Sequence, residues 1–472
     1  MYILHVSAEC YPAAKVGGLG DVAGALPKYL NKTGATASVV IPHYHNKFFR
    51  EHSWENVAAG AFYLGTIEYR YNILKERSGM LGFDLFIAEI PGLLDEELPY
   101  GYENDMRRHL GFQICVVDWI SHQPNKPDVV HCHDHPTGLI PFMMDYCNNY
   151  RHLSEIKTVF TIHSAQYQGQ FGLDKTYLIP PFDEWKRGML EWNDMVNPLA
   201  CAIKCCWRFT TVSPSYLAEL RQSALGIEQL ITDEQQKSRG ILNGIDADVW
   251  NAQTDEWIEQ TFDAATVTDG KMANKRALCD SFQLNPQLPL IVFIGRLVGD
   301  KGGDLLSDAL RQTVMRLNRE VSFLVLGSGV SEYENALNAL KTDLPENFNC
   351  YIGYHEKLAH LLYAGADFLL MPSRVEPCGL NQLYALRYGT IPLVRSTGGL
   401  KDTVTDIAEP DGFGIRFEQA TVASVDVAVE RALTLYRNAP EMEKIRKRIM
   451  LFDHSWDHAA YVYLELYRSM EG

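Results

Sequence analysis

No stretch of this 472-residue chain strings together the ~18 apolar residues that a helix needs to cross a bilayer. The opening Met1-Tyr2-Ile3-Leu4-His5-Val6 lacks the basic start and cleavage site of an export signal, and reads as a buried first strand. Positive charge is in deficit, with 43 Lys and Arg against 59 Asp and Glu and a formal net charge of −16. That balance weighs against nucleic acid and anionic membranes as partners. It also means that an anionic substrate must find a local cationic pocket. The 10 cysteines are scattered through strand-like and helix-like runs, as buried free thiols are. Cys201, Cys205 and Cys206 share helical spacing without His or Asp at zinc-ligand intervals, so they read as packing residues. The expected location is the cytoplasm. Internal repeats and low-complexity tracts are missing. So are a G-x-S-x-G elbow, a Walker loop, H-E-x-x-H and the kinase signatures.

What remains is globular: 46% hydrophobic and 22% charged, and too long for one ordinary core. Apolar strands alternate with amphipathic helical stretches, a pattern that predicts parallel sheets covered by helices on both faces. In the first half the strands fall at 3–7, 37–42, 85–90, 129–133, 158–163 and 209–213. In the second half, strands at 290–295, 323–326, around 352, 368–372 and 391–395 lead into helices near 304–317, 332–340, 357–364, 380–388 and 400–407. Two such series predict two doubly wound α/β domains, 1–242 and 243–455, separated at the turn chemistry of Asn243-Gly244-Ile245-Asp246. The polar 251–270 segment reads as an irregular connection, and Trp456, Ala460, Tyr463 and Tyr467 give a C-terminal helix in 456–472 one apolar face.

Several loops follow strands where open α/β sheets bind ligands. Lys15-Val16-Gly17-Gly18-Leu19-Gly20-Asp21 precedes a helix, and adjacent glycines at a helix start suit an anion, although the same pattern serves an ordinary turn. It is not the dinucleotide fingerprint. In the second half Arg296 and Lys301 flank Gly299, as cations for a diphosphate or as solvated surface charges. Glu376 lies on a loop before Cys378-Gly379-Leu380-Asn381, which offers backbone N–H groups at a helix start, with a plain helix cap as the other reading of Asn381. His131-Cys132-His133-Asp134-His135 is open to three readings: metal ligands, a substrate-facing loop, or structural hydrogen bonding. His163 ends a strand and is open to functional and structural readings alike. Phosphate-type loops in both halves favour a nucleotide-sugar transferase.

Together these segments resemble the bacterial glycogen synthases and plant starch synthases, retaining glucosyltransferases with two Rossmann-like domains facing a cleft (the GT-B type). The resemblance spans nearly the whole chain through the 15–21 loop, Tyr167-Gln168-Gly169, Thr211-Val212-Ser213-Pro214, Asn243-Gly244-Ile245-Asp246, Asn274-Lys275, Arg296 with Lys301, the 372–380 loop and Thr397-Gly398-Gly399-Leu400. It implies that the C-terminal helix crosses back to the first, acceptor-side domain, and that the second domain is the donor side. It implies Lys15, Arg296 and Lys301 on the donor diphosphate, helped by Gly17, Gly18, Cys378, Gly379, Leu380 and Asn381. His163 would touch the glucosyl ring, Glu376 its hydroxyls and Tyr354 the adenine, with Asp21 and Asp134 on the acceptor side. His163, Arg296, Lys301 and Glu376 would be the catalytic set, and no metal or cofactor is expected. The implied reaction is transfer from ADP-glucose to the non-reducing end of glycogen or another α-1,4-glucan. UDP-glucose or another acceptor is the alternative, and an idle glucan-binding protein a further one. His135-Pro136 stand where the family usually has Trp followed by His or Gln, Ser164 where it has Asn, and Asn381 where it has Thr.

Overall fold

The computed structural model describes residues 1–471. The chain forms two compact units, the first running Met1–Asn243 and taking back the C-terminal segment from Trp456, the second Gly244–Ser455.

The first unit is built on a nine-stranded sheet. Seven strands are parallel, in the spatial order β12 (Ser238–Gly240), β11 (Arg208–Thr211), β7 (Lys157–Ile162), β6 (Val129–His133), β1 (Tyr2–Val6), β2 (Thr36–Pro42) and β5 (Asp84–Glu89). The apolar runs predicted as strands in this half occupy these places, and their near-complete burial explains why they lack alternation. The sheet is not wholly parallel, however. The antiparallel hairpin β3 (Trp54–Leu64) and β4 (Ile67–Glu76) extends it beyond β5. Its two-residue turn, Gly65-Thr66, places Gly65 at φ +66°, a conformation that glycine adopts without strain. Much of β3 and the first, turn-side residues of β4 are exposed, so the hairpin does not read as a buried apolar run. Three short strands, β8 (Phe171–Gly172), β9 (Glu191–Trp192) and β10 (Met195–Val196), make a small separate sheet.

Val22, Leu26 and Tyr29 line the buried face of the helix Gly18–Lys32. They share one core cluster with Ile3, Val129 and Val159 of the sheet and with Trp456, Ala460, Tyr463 and Tyr467 of the C-terminal helix Trp456–Arg468. The sequence-distant helix is thus part of the first unit's core.

The second unit has six parallel strands in the order β15 (Phe348–Ile352), β14 (Ser322–Gly327), β13 (Leu290–Ile294), β16 (Phe368–Met371), β17 (Ile391–Arg395) and β18 (Ile415–Phe417). Numbered within the unit this is 3-2-1-4-5-6, the doubly wound dinucleotide-type order, whose switch point lies between β13 and β16. The helix predicted near 400–407 is shorter, Gly398–Thr403. The Asp406 carboxylate accepts from the Ala408 and Arg416 N–H groups and pairs with Arg431, which draws the chain out of the helix and onto β18.

Candidate functional site

In the first unit the strand order reverses direction around β1 and β6, so the loops beyond Val6 and His133 flank the position where such sheets bind ligands. The loop after β1 is held by Glu9, whose carboxylate accepts from the N–H groups of Val16 (2.6 Å) and Gly17 (3.0 Å) and from the Tyr100 hydroxyl (3.1 Å). Burial raises the Glu9 pKa, and those hydrogen bonds oppose the rise. The Gly17 N–H is therefore already engaged, and the helix start that remains for an anion begins at Gly18. A Cβ added at Gly17 or Gly18 would meet nothing within 4 Å, so this corner is open. Exposed Lys15 pairs with Asp21 at 2.7 Å across the first helical turn.

Beyond β6, Asp134 takes φ +56° and turns its Oδ1 toward the end of β7, accepting from the N–H of His163 (2.7 Å) and of Ser164 (3.3 Å). The residue expected on the acceptor side is thus built into the support of the His163 turn. Pro136 sits in the first turn of the short 3₁₀ helix His135–Thr137, where no intrahelical N–H is needed. Of the three readings left open for 131–135, hydrogen bonding accounts for His131 and His133. They share a sheet face with His5, and the three imidazoles come within 4.8 Å of one another. His131 gives both ring nitrogens to hydroxyls, Nδ1 to Tyr467 (2.7 Å) and Nε2 to Thr161 (2.6 Å).

In the second unit the switch point carries Arg296 after β13 and Glu376 after β16. Glu376 is buried; its Oε1 pairs with Lys301 Nζ at 2.7 Å and its Oε2 accepts from Ser373 at 2.9 Å. Arg374 grips the Asp304 carboxylate through both terminal nitrogens (2.5 and 2.8 Å), fixing the same loop from outside. Behind it, the Gly399 N–H donates to the carbonyls of Glu376 and Pro377. A Cβ at Gly398 would lie 2.1 Å from the Glu376 oxygen, and one at Gly399 2.1 Å from that of Cys378. Only glycines allow this contact. Asn381 is not a cap: it is the first residue of the helix Asn381–Arg387, and its Nδ2 donates to the Ile294 carbonyl (2.6 Å), tying that helix to β13. Cys378 is buried, its carbonyl and that of Gly379 accepting from the Gln382 amide. Leu380 precedes the helix, half-buried, and Tyr354 is 74% exposed beyond β15. Arg296 is exposed and makes no ion pair among the described residues.

The family model described as starch synthase catalytic domain matches residues 2–233, and that described as glycosyl transferases group 1 matches 275–449. A glycogen synthase of Flavobacterium johnsoniae is 49% identical over 99% of this chain and 98% of its own length. The chain belongs to the glycogen and starch synthase family. A Bacillus cereus glycogen synthase is 37% identical over the full length of both chains. Among solved structures, the catalytic domain of starch synthase IV from Arabidopsis thaliana, bound to ADP and acarbose, superposes with TM-score 0.89 at 30% identity over 99% of each chain. A sucrose-phosphate synthase of Thermosynechococcus elongatus (TM-score 0.61, 17% identity, 100% of this chain and 99% of that one) shares the fold. The two units are accordingly the two Rossmann-like domains of a GT-B glycosyltransferase. No helix among the described residues is long and apolar enough to cross a membrane.

Within this glycogen synthase fold, four supports of the loops escaped the sequence reading: Glu9, Ser373, Arg374 and the role of Gly398-Gly399. Glu9 carried one signal, an acid at the end of a buried apolar strand, where a carboxylate persists only with partners.

The Asp134 carboxyl is pushed by burial from its ordinary 3.8 up to about 7. Because the folded-state value is raised, the fold bears no ionisation cost below about pH 4 and bears it increasingly as pH rises to about 7. Asp134→Asn, whose amide oxygen still accepts, should therefore gain stability relative to the parent over that interval, by at most about 4 kcal/mol. Thermal melts of both proteins at acidic and at slightly alkaline pH check this. A pH-independent difference in Tm would contradict it.

Proposed function

We propose that the chain transfers glucose from ADP-glucose to the non-reducing end of an α-1,4-glucan such as glycogen, with retention of configuration. The observation that carries this reading is the Lys301–Glu376 couple at the switch point of a doubly wound unit, where exposed Arg296 makes no ion pair among the described residues. It pairs two cations for a diphosphate with one carboxylate for sugar hydroxyls or for a developing positive sugar. The binding of ADP and acarbose by the plant relative supports the same donor nucleotide and a glucan acceptor here.

In this reading Arg296 and Lys301 neutralise the departing diphosphate, the electrostatic contribution that usually dominates such catalysis. Lys15 and the N–H groups from Gly18 onward, with those at Leu380 and Asn381, assist. Glu376 faces the sugar hydroxyls, His163 the glucosyl ring, Tyr354 the adenine. Asp21 is on the acceptor side, while Asp134 acts by holding His163. Substitution on the same face of the sugar through an oxocarbenium-like state accounts for retention without a protein nucleophile. The cytoplasm is the compartment this reading assumes.

A radiolabel transfer assay with ADP-glucose, UDP-glucose and glycogen tests it. Incorporation from ADP-glucose well above that from UDP-glucose is expected; a preference for UDP-glucose would select the other donor, and none from either would reject the activity. Since protein cations do the neutralising, transfer should also survive exhaustive dialysis against EDTA. Loss of activity that a divalent ion restores would show that the cations do not suffice.

A further inference from the structure

Three buried imidazoles form an unbranched hydrogen-bonded chain: His5 Nδ1 to His133 Nε2 at 3.0 Å, and His133 Nδ1 to His163 Nε2 at 2.9 Å. The chain starts on β1, passes through the last residue of β6 and ends just beyond β7. His5 and His133 are wholly buried and His163 is 8% exposed. At the inner end, His5 Nε2 has no hydrogen-bond partner among the described residues. At the outer end, His163 Nδ1 makes no hydrogen bond among them either. His131 stands outside the chain, both its nitrogens bound to hydroxyls, although its ring stacks on that of His133 with centroids 4.3 Å apart.

A neutral imidazole donates through one nitrogen and accepts at the other. Burial favours the neutral form at every link, moving His5 and His163 down to about 3 and His133 well below its ordinary value. With His133 neutral, both bonds must run in the same direction. If they ran inward, from His163 to His5, the protein would bury an N–H on His5 Nε2 with no acceptor, the rarer and costlier kind of orphan. Running outward, the chain leaves a bare lone pair there and puts an N–H at the far end.

We infer that His5 and His133 are positioning residues that lock His163 in the Nδ1-protonated, neutral tautomer, so that it meets the substrate as a hydrogen-bond donor and not as an acceptor or a cation. The inference rests on the proposed glucosyl transfer for what the donor serves: an oxygen of the sugar, whose lone pairs an N–H can address. A neutral donor adds no positive charge beside a sugar that is itself becoming positive. The arrangement also fixes the ring plane, since rotating the imidazole would break the bond to His133.

Long-range nitrogen–proton spectra of the full-length protein with 15N-labelled histidine, the His163 signals assigned by their loss in His163→Asn, test the tautomer directly. A protonated Nδ1 and a bare Nε2 are expected. The reverse pattern, or two protonated nitrogens, overturns the inference whatever the enzyme does. Kinetics separate positioning from packing. In His133→Asn an amide N–H replaces the Nδ1 donor, and kcat for ADP-glucose should stay within about threefold of the parent; His133→Leu should lower it by at least about tenfold, with a smaller change in KM. Equal rates in the two folded variants would also overturn it. If His133→Leu does not fold, the spectrum of the parent protein still decides. Absence of transfer by the parent would reject the glucosyltransferase reading but leave the tautomer to be judged by its spectrum.

Discussion

Lys301→Ala should lower kcat/KM for ADP-glucose by between about tenfold and a few hundredfold, with the fold intact. One charge-assisted hydrogen bond to the diphosphate contributes ~1.5–3 kcal/mol, which converts to that range. A second effect adds to it, because among the described residues Lys301 is the one basic partner of the buried Glu376 carboxylate, whose side chain is 10% exposed. Removing the ammonium leaves that charge, among the described residues, with the Ser373 hydroxyl as its side-chain partner. Arg296→Ala should also cost at least about tenfold, but without disturbing Glu376, since Arg296 makes no ion pair among the described residues. Initial rates over a range of ADP-glucose concentrations, with far-UV circular dichroism as the check on folding, measure both. Near-parent rates in either folded variant would remove the diphosphate assignment. Equal losses that add in the double variant would argue against the extra Glu376 component of Lys301.

The difference between these cations bears on how much of the site the sequence discloses. Arg296, Lys301 and Glu376 were legible because each follows a strand that is plain as an apolar run, and strand ends are where such sheets bind ligands. What holds them was not. Ser373 and Arg374 lie in the same loop, yet nothing local tells a hydroxyl that supports a carboxylate from one that faces water. The partner of Arg374 is Asp304, 70 positions away. Gly398 and Gly399 were visible as landmarks of a resemblance, but their physical reason is the close approach of the 376–378 backbone, a tertiary fact. The parallel core strands were readable because burial on both faces makes them continuous apolar runs. The β3–β4 hairpin was missed for the converse reason, its solvated face breaking the run, although Gly65-Thr66 was an available turn signal. At 131–135 strand alternation alone does not show which imidazoles meet. It separates neighbours, but positions two apart share a face, and β1 brings His5 to the same face from 126 positions earlier than His131.

Trp456→Ala should destabilise the first unit by about 3–5 kcal/mol, the usual cost of emptying a large buried aromatic site, and leave the second unit unchanged. Trp456 is 2% exposed and belongs to the cluster that joins the C-terminal helix to the helix Gly18–Lys32 and to β1, β6 and β7. None of the residues in the second unit's large core cluster belongs to it. The loss should therefore be local in kind. Hydrogen exchange should speed up in β1, β6 and the Gly18–Lys32 helix while the amides of β13, β14 and β16 keep their protection. Tyr467→Phe removes much less, one hydroxyl bonded to His131 at 2.7 Å, and should cost about 1–2 kcal/mol at the same amides. Uniform acceleration across both units in Trp456→Ala would mean that the C-terminal helix stabilises the chain as a whole. Unchanged exchange in β1 and β6 would mean that the packing seen around Trp456 contributes little. The graded outcome, large for the indole, small for the hydroxyl and confined to the first unit, is expected because the helix closes the core on which the Lys15 loop and the imidazole chain are built.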